Sequence, residues 1–210
     1  MDATELMKGI ALNLSELTAR WEVGYIDKHK HTATLKGPNG AELGFRGNGY
    51  DLEESSRLNI SGVYPNYKGH CPLSFTFQYT DAKRPHITVA VDRGTSTIAD
   101  DIRRRLLPDY LHWLEVAHER IEEYKANEEK IRTRTRRIAA AFGVDEESIR
   151  WNQGGGNVNS RPTFYTVIGD ARISLEVLGD DVSLEILYAP DVLATGIGEL
   201  IRAWADRPTR

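Results

Sequence analysis

A single cysteine in 210 residues, Cys71, excludes an internal disulfide and any zinc site that needs two or four thiolates. Nothing therefore points to an oxidising compartment, and the expected setting is cytoplasmic. Long apolar runs are missing as well. No stretch approaches the roughly 20 residues of a membrane span, and the opening Met1-Asp2-Ala3-Thr4-Glu5 lacks the basic start and apolar centre of a signal peptide. An excess of positive charge is also absent. The formal net charge of −4 is not that of a general polyanion binder, although it leaves room for a local basic patch.

Catalytic signatures are equally scarce. There is no Gly-x-Ser-x-Gly elbow. Gly154, Gly155 and Gly156 are followed by no Lys-Ser or Lys-Thr pair and by no helix start, so the phosphate-loop patterns fail. Cys71 precedes Pro72 at an expected strand start and reads as a small buried thiol. The acidic pairs Glu53-Glu54, Asp100-Asp101 and Asp180-Asp181 read as solvated caps and turns. His29 and His31, two apart on one strand face, and His70 beside Cys71 are the only hint of metal chemistry. The stretch Lys28-His29-Lys30-His31 fits a hairpin edge blunted by charge better than a ligand set. The sequence thus assigns no catalytic residue, no metal site and no cofactor.

What the chain does have is one long amphipathic run. Tyr110, Leu114, Ala117, Ile121, Tyr124, Glu128, Ile131, Thr135, Ile138 and Phe142 recur at alternating spacings of four and three. Unbroken, that helix would be about 50 Å long. Its start falls near Thr95-Ser96-Thr97, where a hydroxyl could cap it, and Ile98, Ile102 and Leu106 begin the stripe. Pro108 predicts a kink or restart, with proline in the first turn of the longer piece, and Gly143 predicts its left-handed end. Glu128 and Thr135 interrupt the seam, which predicts that the second half leaves the core and either meets a second copy in a homodimer or stands in solvent.

Around this run the texture is β. Leu6, Ile10, Leu14, Leu17 and Trp21 predict an N-terminal helix capped by Asp2 with Glu5 in its first turn. From Arg20 to Val91, short β-branched and aromatic runs alternate with turn signals such as Gly37-Pro38-Asn39-Gly40 and Asn66-Tyr67-Lys68-Gly69, predicting five or six antiparallel strands. One of them is Leu73, Phe75, Phe77 and Tyr79 alternating with polar residues. Phe164–Ile168, Arg172–Leu178 and Val182–Leu187 predict a second β region, and Leu193, Ile197, Leu200, Ile201 and Trp204 a final helix. The fold class is α+β: antiparallel sheet or sheets packed by a long central helix, with N- and C-terminal helices. The expected organisation is 1–94, 95–143 and 144–210, as two lobes or one continuous sheet; the pattern fits both.

The candidate binding residues lie on the long helix. Lys130, Arg132, Arg134, Arg136 and Arg137 follow a Glu-rich stretch with no acid among them. Lys130 and Arg134, and Arg132 and Arg136, are four apart, forming two rows able to straddle an anionic backbone. The competing reading is a solvated face paired with acids, for example Glu128 with Arg132. Of Arg103, Arg104 and Arg105, one is expected to turn inward beside Leu106. The loop Gly154, Gly155, Gly156 and Asn157 with Arg161 is a second candidate contact. Ile138 to Ile149 superficially matches a helix-turn-helix, but its second helix would run into three glycines, and a helix end at Gly143 explains the same letters.

The junction Val89-Ala90-Val91-Asp92-Arg93-Gly94, with Ile98-Ala99-Asp100-Asp101-Ile102-Arg103-Arg104-Arg105-Leu106-Leu107-Pro108-Asp109-Tyr110-Leu111, resembles a segment of uncharacterised accessory proteins of bacteriophages and mobile elements. That resemblance implies a role in modulating host or competing-element machinery, or in handling phage nucleic acid, and transfers no functional residue. Three function classes follow. The leading one is a non-enzymatic interaction protein whose partner is a protein or nucleoprotein complex. The second is direct nucleic-acid binding by the basic segment, with Tyr64, Tyr67 or Trp151 stacking on bases. The third, weakest, is a metal-assisted hydrolase using His29, His31 and His70.

Overall fold

In the computed structural model, residues 2–27, 32–48, 52, 54–151, 162–168, 171–178 and 181–188 are described. The chain forms two compact units, Met1–Glu122 and Glu123–Arg210.

The first unit starts with α1, Ala3–Leu17, where Asp2 Oδ1 accepts from Thr4 N at 3.0 Å and Glu5 occupies the first turn. Five strands follow: β1 (Glu22–Asp27), β2 (Thr32–Lys36), β3 (Glu42–Gly47), β4 (Arg57–Val63) and, later, β5 (His86–Ala90). They pair antiparallel in sequence order, an open meander. Registers Ala33↔Phe45, Leu35↔Leu43, Phe45↔Ile60, Ile60↔Ile87 and Leu58↔Val89 put all these apolar side chains on one face, where each is buried. Burying each of the larger ones contributes about 1.5–3 kcal/mol. The Gly37-Pro38-Asn39-Gly40 turn works as its composition dictates: Asn39 and Gly40 both have positive φ, 54° and 75°, and Gly37 N donates to Ala41 O.

The predicted strand at Leu73–Tyr79 is instead a helix, α2 (Ser74–Tyr79). Period-two alternation and one short helical turn give overlapping patterns over six residues. Packing decides between them: Leu73 and Phe77 face the core, whereas Phe75 and Tyr79 are exposed, a helical division of the same letters.

The hydroxyl cap expected at Thr95–Thr97 is also corrected. α3 (Thr95–Asp101) is entered through Gly94 at φ 79°, without a side-chain cap; Ile98 N donates to Gly94 O. Thr95 packs against α1 instead. Asn13 Nδ2 donates to its hydroxyl at 3.2 Å, and a Cβ on Gly9 would come within 2.8 Å of its methyl group, so α1 and α3 approach through a glycine.

At Pro108, where the sequence predicts a kink or restart, the regular α-helix is interrupted just before the proline. In an uninterrupted α-helix its ring would press on the Arg104 carbonyl. The chain widens instead into a π-turn, Ile102–Leu106, with Leu107 N donating to Ile102 O, and then runs on as α4, Leu107–Ala141, with Pro108 in its first turn. Tyr110, fully buried, ties α4 to the sheet: its hydroxyl accepts from Glu42 N at 2.7 Å and donates to Val63 O at 3.0 Å. Its ring lies over Gly62, which shares the core face with Leu58 and Ile60.

In the second unit α4 ends in a Schellman motif. Gly143 has φ 66° and donates to Ala140 O, while Val144 donates to Ala139 O, satisfying terminal carbonyls. A single 3-10 turn, Glu146–Ser148, follows rather than a recognition helix. β6 (Thr163–Ile168), β7 (Ala171–Leu178) and β8 (Asp181–Tyr188) form a separate three-stranded antiparallel sheet in sequence order. Ile173, Leu175 and Val177 of β7 pack with Ala139, Ile149, Ile138, Phe142, Val144 and Trp151.

Of the two outcomes expected for the seam, standing in solvent is corrected: Ile131 and Thr135 are buried and Ile138 packs in this second core. Thr135 tolerates burial because its hydroxyl donates back to Ile131 O at 2.7 Å. The predicted C-terminal helix lies outside the described residues.

Candidate anionic-partner interface

The five cations predicted on α4 lie within the second unit, where helical geometry sorts them into two groups. At 3.6 residues per turn, Ala126, Lys130, Thr133, Arg134 and Arg137 lie within about 100° of arc on one side of the helix. With Glu129 they line a groove of about 520 Å³. Arg132 and Arg136 point to a different side and are engaged by acids.

Arg132 Nη2 lies 3.2 Å from Glu128 Oε1, and its guanidinium sits 5.5 Å from the centre of the Trp151 ring. Glu128, the first polar interruption of the seam, is thereby held largely out of solvent by a cation one turn on. Arg136 Nε donates to Glu146 Oε1 at 2.7 Å, and its Nη1 reaches Glu129 at 4.0 Å. The Arg136 pairs are exposed and contribute at most about 1 kcal/mol each; together with Arg132–Glu128 they neutralise one row of the basic block. Lys130 and Arg137 pair with no described acid, so the charge offered to a partner is concentrated on the groove face.

The competing reading of the block, a solvated face paired with upstream acids, thus holds for Arg132, whereas Lys130 and Arg137 pair with no described acid. The glycine loop, Gly154 to Asn157 with Arg161, lies outside the described residues. Ala126, Glu129 and Thr133 join the site without having been predicted, because nothing in their type or spacing singles them out until the helix face is known.

Of the aromatic residues proposed for base stacking, Tyr64 and Tyr67 belong to the first unit and Trp151 to the second. Tyr64 is buried, 5% exposed, between Phe77 and Tyr110, and burial pushes its phenol above the ordinary range. Trp151 packs in the second core beneath Arg132. Tyr67 is half-buried, with Lys68 Nζ 5.6 Å from its ring centre.

The second basic cluster is a surface ion-pair network. None of Arg103, Arg104 and Arg105 turns inward; all three are exposed. Arg103 and Arg104 pair with Asp100 at 2.7 and 3.0 Å, and the hydrogen bond from Arg103 holds the Asp100 carboxyl below its usual range. Asp101, which is buried, takes Arg93 at 2.5 Å and Arg105 at 3.8 Å.

Among the described residues, no group of three or more His, Cys, Asp or Glu side chains is placed to hold a metal ion; His29 and His31 lie outside them. No described helix is long and apolar enough to cross a membrane. No family model, curated protein or solved structure matches the chain.

Proposed function

We propose that this protein is a non-enzymatic interaction protein that engages an anionic surface of a macromolecular partner, a protein or nucleoprotein complex, through the groove face of α4. One observation carries the reading. Of the five clustered cations, Arg132 and Arg136 pair with Glu128 and Glu146, while Lys130 and Arg137, which have no described acid partner, line with Arg134 a groove of about 520 Å³. The resemblance of the segment around Arg103 to phage and mobile-element accessory proteins directs the search to host or competing-element machinery.

Direct nucleic-acid binding is a second reading favoured by the same groove. Lys130 to Arg137 spans about 10 Å of helix axis, which matches about three backbone charges of one B-DNA strand.

Both readings are tested with labelled single- and double-stranded DNA and RNA across a salt series. Two variants are compared: Lys130→Ser/Arg134→Ser/Arg137→Ser and Arg132→Ser/Arg136→Ser. Direct binding predicts that the groove variant flattens the log K against log salt slope by about two to three units, with a smaller change in the other. A protein partner predicts no nucleic-acid binding at low salt and capture from host lysate lost only in the groove variant. Equal behaviour of the two variants in both assays would discard the groove.

A further inference from the structure

We propose that the arginine cluster at the π-turn is a binding site for a small phosphoryl dianion, of which inorganic phosphate and pyrophosphate are the simplest forms. It lies in the first unit and shares no residue with the α4 groove, so each reading can fail alone.

The cluster is organised by a buried carboxylate. Asp101 is 3% exposed, and a carboxylate taken out of water needs an opposite charge beside it. Arg93 Nη1 supplies one at 2.5 Å, after the turn at Gly94 with φ 79° carries the chain from Arg93 into α3. Arg104 then bridges both aspartates, its Nε 3.0 Å from Asp100 Oδ2 and its Nη2 3.5 Å from Asp101 Oδ1. Arg103 Nη2 lies 2.7 Å from Asp100 Oδ1, and Arg105 Nη1 lies 3.8 Å from Asp101 Oδ2. Four guanidinium groups are thus gathered over two adjacent carboxylates. The π-turn assists, because it rotates less per residue than an α-helix and so fans the three consecutive arginines over a narrower arc, between the buried Ile102 and Leu106.

Charge and donor count select the occupant. Two carboxylates balance two of the four guanidiniums, which leaves two positive charges over. Among the described residues no other acid takes them up: Asp92 and Asp109, the nearest in sequence, pair with none of the four. Each guanidinium carries five N–H donors, the aspartates engage one or two of each, and the four side chains are between 42% and 57% exposed. The unused donors therefore face solvent as forks already held in place, the geometry that phosphate oxygens accept in pairs. From Asp100 to Arg105 the helix rises only about 7.5 Å, room for one or two phosphoryl groups rather than for a run of nucleic-acid backbone. A dianion cancels the surplus.

The test is isothermal titration calorimetry of the full chain near neutral pH with pyrophosphate, inorganic phosphate and, at matched ionic strength, acetate. Pyrophosphate should bind more tightly than phosphate, and acetate should give no binding. Arg103→Ser/Arg105→Ser leaves Arg93 and Arg104 to balance the aspartates, and its affinity for pyrophosphate should fall by roughly tenfold or more. Both replaced side chains are half exposed, so its thermal melt should match the parent. The Lys130→Ser/Arg134→Ser/Arg137→Ser variant should bind pyrophosphate as the parent does. The proposal is overturned by a parent that binds no pyrophosphate, by acetate binding as well as pyrophosphate, by a serine pair that binds as the parent does, or by loss of binding in the α4 variant instead.

Discussion

Replacing Gly62 with alanine adds one methyl group at a place where the sequence shows only a glycine in a strand. A Cβ there would lie 2.8 Å from Tyr110 Cγ and closer still to Cδ2 and Cε2, atoms of a ring with no solvent exposure. Gly62 has no left-handed backbone, so the penalty is steric. The ring must move away from β4, and its hydroxyl then leaves Glu42 N and Val63 O. Overpacking costs about 1–3 kcal/mol, and two lost hydrogen bonds add about 1 kcal/mol each. The expected total is about 3–5 kcal/mol, which lowers the melting temperature of the first unit by roughly 10 °C or more. Differential scanning calorimetry of Gly62→Ala, Tyr110→Leu and the double variant isolates the contact. In the Tyr110→Leu background the same methyl group should cost less than about 1 kcal/mol, because its partner ring is gone. A Gly62→Ala protein that melts within 2 °C of the parent, or an equal penalty in both backgrounds, would refute the packing argument.

Gly143→Ala is the conformational counterpart: nothing lies within 4 Å of the added Cβ, but φ is 66°, so strain alone should cost about 1 kcal/mol, read as a lower denaturant midpoint at unchanged slope. The buried phenols of Tyr64 and Tyr110 both titrate above their ordinary range, mainly through desolvation. Their contribution to stability is therefore complete below the unfolded phenol value near pH 10 and is lost as pH rises through the folded values. Melts between pH 8 and 11.5 should fall off above about pH 10; a flat profile would contradict the burial. Tyr64 Oη has no hydrogen-bond partner among the described residues, so Tyr64→Phe should leave stability unchanged or raise it by up to about 1 kcal/mol, and should soften the alkaline decline. A clear loss on chemical denaturation would reveal a partner for that hydroxyl.

The elements that local chemistry specifies completely were legible in the sequence. Asp2 had to cap α1, Gly143 had to end α4, and the paired turn residues had to close the β2–β3 hairpin, because each conformation is set within a few residues. Strand runs such as Ile173, Leu175 and Val177 were legible for the same reason. The errors fall where the deciding contact is distant in sequence. Leu73 to Tyr79 became a helix because Phe77 meets Trp113 and Arg120 meets Thr76, partners more than 30 positions away. Thr95 gave up a capping role because Asn13 and Gly9 lie against it. Glu128 and Thr135 looked like signs of an uncovered helix, yet one is matched by Arg132 and the other bonds its own backbone.

The candidate site divides in the same way. Sequence alone determined that the stretch from Lys130 to Arg137 of α4 carries five cations with an acid-rich stretch before them, since charge order along a chain survives any fold. Only the tertiary structure decided which of them are offered outward. The burial of Ile131, Thr135 and Ile138 fixed the rotation of the helix, and Glu128, Glu146 and Trp151 took up Arg132 and Arg136. Lys130 and Arg137 were left exposed, because a helix that buries one stripe turns the rest of its surface to solvent.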